Sequence, residues 1–353
     1  PHWLDRILDT RWFLRQAAKR EGTTEAAGLG PMTLSMLQGV KGYQEKEVVR
    51  LVTWLREQEK PDAVHLSNSL LLGLAGELKR ALNVPLVCTL QDEESWLDHI
   101  EPPYNRLCWE AMAASAELVD AFIVVSQWYA GEMAKRMPLA PDKLRVVPLG
   151  IDLNGREQAP HPLDPPVLGY LSKMTPSLGL GVLVDAFIAL RKNPALRTLK
   201  FRATGGMLGT DAQYVAELKA KLSQHGCAHD TEFLESFDAA HRKEFLRGLS
   251  VLSVPALQGE AFGMFMLEAM AAGVPVVQPN VGAFPEVIEA TGGGMVYDAA
   301  KPYALVSTLE ALLLDPVRAQ KLGGHGREAV FARYGIDRMA VDIAGVYESL
   351  LTR

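Results

Sequence analysis

From residue 61 onward the chain alternates two kinds of hydrophobic pattern. Short runs rich in β-branched and aliphatic residues fall at 63–66, 85–90, 121–126 and 144–148. Between them, apolar positions recur three and four apart over 68–82, 104–119 and 127–137. The first pattern predicts strands and the second helices. After residue 166 the alternation resumes, with strands expected at 167–171, 199–204, 232–236, 251–255, 275–278 and 294–297. Helices are expected at 181–192, 211–225, 239–247, 263–272, 284–290, 303–314, 316–333 and 337–351. The start of the chain differs: residues 6–42 read as helix broken at Gly28-Leu29-Gly30-Pro31, and a charged amphipathic helix follows at 44–58.

Alternation of this kind marks an α/β fold whose mostly parallel sheets carry helices on both faces. Residues 154–166, NGREQAPHPLDPP, hold four prolines among polar residues, a composition expected to stay extended and poorly packed. This segment is expected to be the linker between a unit over 1–153 and a unit over 167–335, with a final helix over 336–353 that can cross back to the first. Two doubly wound, Rossmann-like domains joined this way face each other across a cleft, and ligands bind at the carboxyl ends of the strands.

Composition changes this picture little. A length of 353 residues suits two α/β units, and 48% hydrophobic with 22% charged residues is globular. The net charge of −6 argues against nucleic acid or an anionic membrane as the main partner. Cys88, Cys108 and Cys227 lack metal-ligand spacing and read as reduced thiols of a cytoplasmic protein. No apolar run approaches the length of a membrane span.

The candidate chemistry sits in Gly259-Glu260-Ala261-Phe262-Gly263-Met264-Phe265-Met266-Leu267-Glu268, where two carboxylates interrupt an otherwise apolar run. The strand at 251–255 places Glu260 in the loop leaving its carboxyl end, and Gly263 opens a helix with Met264, Leu267, Met270 and Ala271 as its core stripe. Free amides of Gly263, Met264 and Phe265 would form an anion site strengthened by the helix dipole. Carboxylates accept hydrogen bonds from sugar hydroxyls, while backbone amides hold phosphate. Two readings stand at this point: a polar ligand docks here, or Glu260 caps the helix and Glu268 is a solvated helix position.

The spacing Glu260, seven residues, Glu268, then Ala269-Met270-Ala271-Ala272-Gly273-Val274-Pro275-Val276-Val277 and Val281-Gly282-Ala283-Phe284-Pro285-Glu286-Val287, resembles the donor-site signature of GT-B glycosyltransferases of family 4. The resemblance runs from Gly169 to the closing helix and, more loosely, back to about Asp62. It implies a retaining enzyme that moves a sugar from a nucleoside-diphosphate donor to a carbohydrate or lipid-linked acceptor. It implies no metal and no other cofactor, and a lipid-linked acceptor would bring peripheral association with a membrane. By the resemblance Glu260 contacts donor-sugar hydroxyls and Glu268 holds the ribose hydroxyls. The amides of Phe262, Gly263 and Met264 face the diphosphate and sugar. Gly205-Gly206 would be the glycine turn beneath the nucleotide, and Ser236 would end the strand beside the base.

Two departures qualify this. The family's G-R-x-x-x-x-K-G pattern reads here Ser172-Lys173-Met174-Thr175-Pro176-Ser177-Leu178-Gly179, so Lys173 replaces the arginine as a point charge and Leu178 replaces the lysine. The family's V-V-T-x-H pattern reads Val87-Cys88-Thr89-Leu90-Gln91, putting Gln91 at the histidine position. Asp92-Glu93-Glu94 follows and is expected to be a solvated loop at the cleft rim. His65, at the end of the preceding strand, and Ser126, at the end of the third, are expected to face the cleft on the acceptor side. The family's first strands and glycine loop find no match before residue 14, so the N-terminal sheet is expected to lack them and to expose an edge at 63–66. A nucleotide-sugar-binding relative without turnover is the alternative. A dinucleotide-dependent dehydrogenase is excluded because no G-x-G-x-x-G follows a strand.

Overall fold

A computed structural model describes residues 28–352 apart from 59, 161, 208, 210 and 235–237. Two parallel sheets organise the chain. The first contains β1 (Val64–Leu66), β2 (Leu86–Leu90), β3 (Ala121–Val124) and β4 (Leu144–Val146) in the order β1-β2-β3-β4. Around it lie α1 (Gly30–Leu37), α2 (Glu45–Glu57), α3 (Ala75–Leu82), α4 (Glu94–Leu97), α5 (Tyr104–Ala116) and α6 (Gln127–Arg136). The second sheet contains β5 (Val167–Leu171), β6 (Lys200–Thr204), β7 (Thr231–Leu234), β8 (Val251–Leu252), β9 (Val276–Pro279) and β10 (Gly294–Tyr297). Its helices are α7 (Leu180–Leu190), α8 (Asp211–Gln224), α9 (Ala239–Arg247), α10 (Met264–Ala271), α11 (Phe284–Thr291), α12 (Ala304–Leu313) and α13 (Pro316–Arg333), and α14 (Ile336–Leu351) closes the chain.

Every ladder is parallel, and the second sheet runs β10-β9-β8-β5-β6-β7. Strand order reverses between β5 and β8, so the loops leaving their carboxyl ends diverge and open a crevice there. The strands at this point are apolar because both faces are covered: all of β5, β8 and β9 is buried. The helix expected at 68–82 is divided, since Ser69–Leu74 is a 3-10 turn capped by the Asn68 side chain before α3 begins. β1 is the edge of the first sheet, and among the described residues no strand pairs with its outer side. The helix expected from residue 6 lies, up to residue 27, outside the described residues.

The chain passes between the sheets twice, and the two crossings touch. Ile151 and Gly335 form a bridge, with Ile151 N donating to Tyr334 O at 2.9 Å and Ile336 N to Ile151 O at 3.1 Å. Beyond it α14 packs Val346, Met339, Ile343, Tyr347 and Leu350 on Val87, Ala121, Ile123 and Val147 of the first sheet. The segment 154–166 is better packed than its prolines suggest. Ala159 is buried and donates to Ala272 O at 2.7 Å, and the Arg156 side chain is 8% exposed. Proline restricts the backbone, but it does not keep neighbouring side chains out of the interior.

Candidate functional site

Two loops at the strand-order reversal bring the expected residues together. The loop after β5 carries Lys173, held where its carbonyl accepts from Tyr170 Oη at 2.7 Å. The loop after β8 carries Glu260, whose backbone is braced from behind: Ala283 N donates to Glu260 O at 3.0 Å. The glycines of this brace are dictated by contact. At Gly259 (φ +78°) a Cβ would stand 2.5 Å from Gly282 Cα, and at Gly282 (φ +63°) one would stand 2.6 Å from Glu260 N. The glycine loop 282–283 is therefore what fixes Glu260.

Glu260 is half-buried, and its carboxyl is pushed up to about 7, chiefly by burial and then by the Asp92 carboxylate, with Lys173 pulling the other way. Asp92 comes from the opposite sheet, at the carboxyl end of β2. It is open to solvent, yet its own carboxyl is raised by burial and by Glu93, with Ser95 and Lys173 lowering it. Its backbone has φ 102°, a conformation disfavoured for a residue with a Cβ. Ser95 Oγ holds it, donating to Asp92 O and Oδ2 at 2.8 Å each. Lys173, Glu260 and Asp92 thus share one electrostatic neighbourhood built from both sheets.

The helix that follows Glu260 has Gly263 as its N-cap, without a side-chain cap. Glu260 is therefore not a cap, and the amides at the start of α10 are left for another acceptor. Phe262 is buried against Tyr334, with ring centroids 6.4 Å apart. Met264, expected in the core stripe, is 44% exposed, whereas residues 265–271 are all buried. Glu268 is not a solvated position: it is 7% exposed and paired with Arg156 at 3.2 Å and Arg242 at 3.8 Å. Gly205 lies against the Lys173 loop, where a Cβ would be 1.7 Å from Ser172 O, and Gly206 O accepts from Met174 N at 3.0 Å. Ser236 lies outside the described residues.

On the first sheet the expectations need correction. His65 does not open on a cleft: its Nδ1 meets Tyr347 Oη at 2.6 Å and its Nε2 meets Thr89 Oγ1 at 2.8 Å, so α14 covers it. His65 is the middle residue of β1 rather than its end, and the pleat sends it to the face packed by the closing helix. Ser126 is buried, its Oγ donating to Ala261 O at 2.7 Å and accepting from Tyr129 N at 3.0 Å. It caps α6 and pins the Glu260 loop, leaving its only proton occupied. Gln91 stays exposed, with Nε2 donating to Ser67 O at 3.2 Å.

Within the acidic run Asp92 is open to solvent as expected, but Glu93 is not. Glu93 is 4% exposed and accepts from Ser69 N at 3.1 Å and Gln91 N at 2.8 Å, while Tyr129 Oη meets its Oε2 at 2.8 Å and also contacts Glu94. A loop leaving a sheet end exposes several amides, and an inward carboxylate satisfies them. Glu286, one residue past Pro285, accepts from Gln127 N and Trp128 N at 2.9 Å each, fastening the start of α6 to the second sheet. Its place in the first turn after the glycine loop was visible in the sequence; its partner was not.

The model of the glycosyl transferases group 1 matches residues 153–329, just over half of the chain. The chain belongs to this family. The model of glycosyltransferase family 4 matches the adjoining residues 39–154. Among curated relatives, D-inositol 3-phosphate glycosyltransferase of Xylanimonas cellulosilytica is 27% identical over 269 residues, covering 72% of this chain and 62% of that protein. The match therefore spans less than two thirds of that relative's length. The fold is GT-B. HepE of Anabaena in complex with UDP superposes with a TM-score of 0.74 at 20% identity, covering 86% of this chain and 82% of that one. Sucrose-phosphate synthase of Thermosynechococcus elongatus gives 0.72 at 19% identity, covering 88% and 79%. HepE is also known in complex with UDP-glucose.

Proposed function

We propose that this chain is a retaining glycosyltransferase that takes a sugar from a nucleoside-diphosphate donor, with a uridine nucleotide the first candidate. The observation that carries the reading is the convergence of Lys173, Glu260 and the open N-terminus of α10 at the strand-order reversal, with Asp92 facing them from the other sheet. In the reaction the bond from the anomeric carbon to the diphosphate breaks, the diphosphate keeps the electron pair, and an acceptor hydroxyl bonds to the same carbon. The hydroxyl proton passes to the departing diphosphate. Lys173 and the amides of Phe262, Gly263 and Met264 stabilise the charge that builds on the leaving group. Glu260 accepts from sugar hydroxyls, Glu268 from the ribose, and the Gly205-Gly206 turn lies beneath the nucleotide. Retention of configuration rests on the family resemblance.

The acceptor is a carbohydrate or lipid-linked molecule bound mainly by the first sheet, where Gln91 is exposed at the rim. Inositol 3-phosphate, part of the name of the Xylanimonas relative, is the first to try. The domain division at 154–166 suits this assignment of donor and acceptor sides. No described helix is long and apolar enough to cross a membrane. Met32, Met36, Val49, Leu51 and Trp54 are exposed on α1 and α2 and support peripheral membrane contact. The three buried free thiols suit the cytoplasm.

Leu178 favours a second reading, a donor-binding protein with slow or no turnover. Its side chain packs against the core where family members place a cation. Release of diphosphate from UDP-, GDP- and ADP-sugars, with and without inositol 3-phosphate, decides between them. Lys173→Ala should retain nucleotide binding and lose release by about a hundredfold, the scale of a missing charge stabiliser. Leu178→Lys should raise release if the first reading holds. Donor binding with no release in either the wild type or Leu178→Lys would establish the second.

A further inference from the structure

Glu268 does not stand alone. Arg156, from the segment between the sheets, donates from Nη2 to Glu268 Oε1 at 3.2 Å, and Arg242 Nη2 on α9 stands 3.8 Å from the same oxygen. The side chains of Arg156 and Glu268 are 8% and 10% exposed, so each charge depends on a partner. Arg156 is itself held in place: its Nε donates to Asp152 O at 2.6 Å, and its carbonyl accepts from Arg327 Nη2 at 2.9 Å. Both arginine contacts fall on Oε1, and Oε2 takes part in neither.

We propose that Arg156 is the positioning residue for ribose recognition: by gripping Oε1 it orients the Glu268 carboxylate so that Oε2 accepts from the ribose hydroxyls of a nucleoside diphosphate. The inference rests on the ribose role proposed above for Glu268. A free glutamate side chain samples several rotamers, and ordering it on binding costs affinity. A rigid guanidinium already bonded to one oxygen sets the rotamer and the plane of the carboxylate before the ligand arrives. Arg156 lies between the bridge at Ile151 and the Ala159–Ala272 bond, so ribose binding is mechanically tied to the crossing between the sheets.

The test is a set of titrations on the full chain. UDP, GDP and ADP are compared, and the tightest is then measured against its 2′,3′-dideoxy analogue on wild type, Glu268→Gln, Arg156→Met and Arg156→Lys. Failure of all three to bind would end the proposed function. Wild type should prefer the intact ribose and Glu268→Gln should lose that preference; if it does not, the ribose role of Glu268 fails and the inference with it. With that role in place, Arg156→Met should weaken the intact nucleotide about tenfold, the scale of one hydrogen bond to a charged group, and leave the dideoxy analogue unchanged. Arg156→Lys should recover part of the loss. Equal weakening of both nucleotides would make Arg156 a structural strut and overturn the proposal, as would unchanged or tighter binding of the intact one. Should Arg156→Met fail to fold, Arg156→Lys answers the same question: loss confined to the intact ribose supports the proposal, and equal loss or none overturns it.

Discussion

Glu260→Gln should make the protein more stable in mild alkali while abolishing transfer. In the folded chain the Glu260 carboxyl is pushed up to about 7 from an ordinary value of 4.5, because burial and Asp92 disfavour its charged form. Below the ordinary value both folded and unfolded chains carry the proton, and the group contributes nothing to pH dependence. Between 4.5 and about 7 the folded chain holds the proton more tightly, so stability falls as pH rises, and the full penalty is present above about 7. A shift of that size corresponds to a ceiling of about 3 kcal/mol, and solvent reaching the half-buried group reduces it to about 1–3 kcal/mol. At about 2 cal/mol/K of unfolding entropy per residue, the whole chain would shift its Tm by roughly 1–4 °C. Glutamine keeps the shape of the protonated acid and removes the charge. Thermal unfolding of wild type and Glu260→Gln at pH 5 and pH 8 is the assay, with the difference between the two proteins as the readout. That difference should grow in the variant's favour from pH 5 to pH 8, with transfer lost at both. A difference independent of pH would refute the burial of a charge at Glu260.

Two further substitutions probe the frame around the site. Gly205→Ala would drive a Cβ into Ser172 O at 1.7 Å, so the Lys173 loop must move; chemical denaturation should show a loss of about 2 kcal/mol or more, with donor affinity reduced. If Gly205→Ala is neutral to both, the glycine turn does not brace the loop. Ser126→Ala removes a helix cap and the bond to Ala261 O, and should cost about 1–2 kcal/mol. Because Ser126 meets no acceptor in the proposed reaction, KM for the acceptor should change little; a selective rise would return Ser126 to the acceptor site.

Strand and helix positions were legible in the chain because burial on both faces of a parallel sheet leaves an unbroken apolar run, and helices between such runs leave a period of three and four. That Glu260 and Lys173 lie in loops leaving strand ends, and Glu268 in the helix that follows, was legible because each loop is local in sequence. Side-chain direction was not. His65 sits within β1, and Ser126 and the run Asp92-Glu93-Glu94 follow strand ends; strand position alone does not say which neighbour fills the outer side. That was settled by α14 over His65, by Ala261 beside Ser126 and by the amides of Ser69 and Gln91 around Glu93.

The α/β class and the order of most elements could be read from the chain alone, because each depends on what a single segment buries. The tertiary structure decided which charges meet. Asp92 stands 168 positions from Glu260 and Arg156 stands 112 from Glu268, and no local pattern links residues so far apart. Their meeting follows from strand order, which reverses between β5 and β8, and from two crossings that fold one sheet's loops against the other's. Periodicity reports what one segment buries; electrostatics at a site depends on every segment that closes around it.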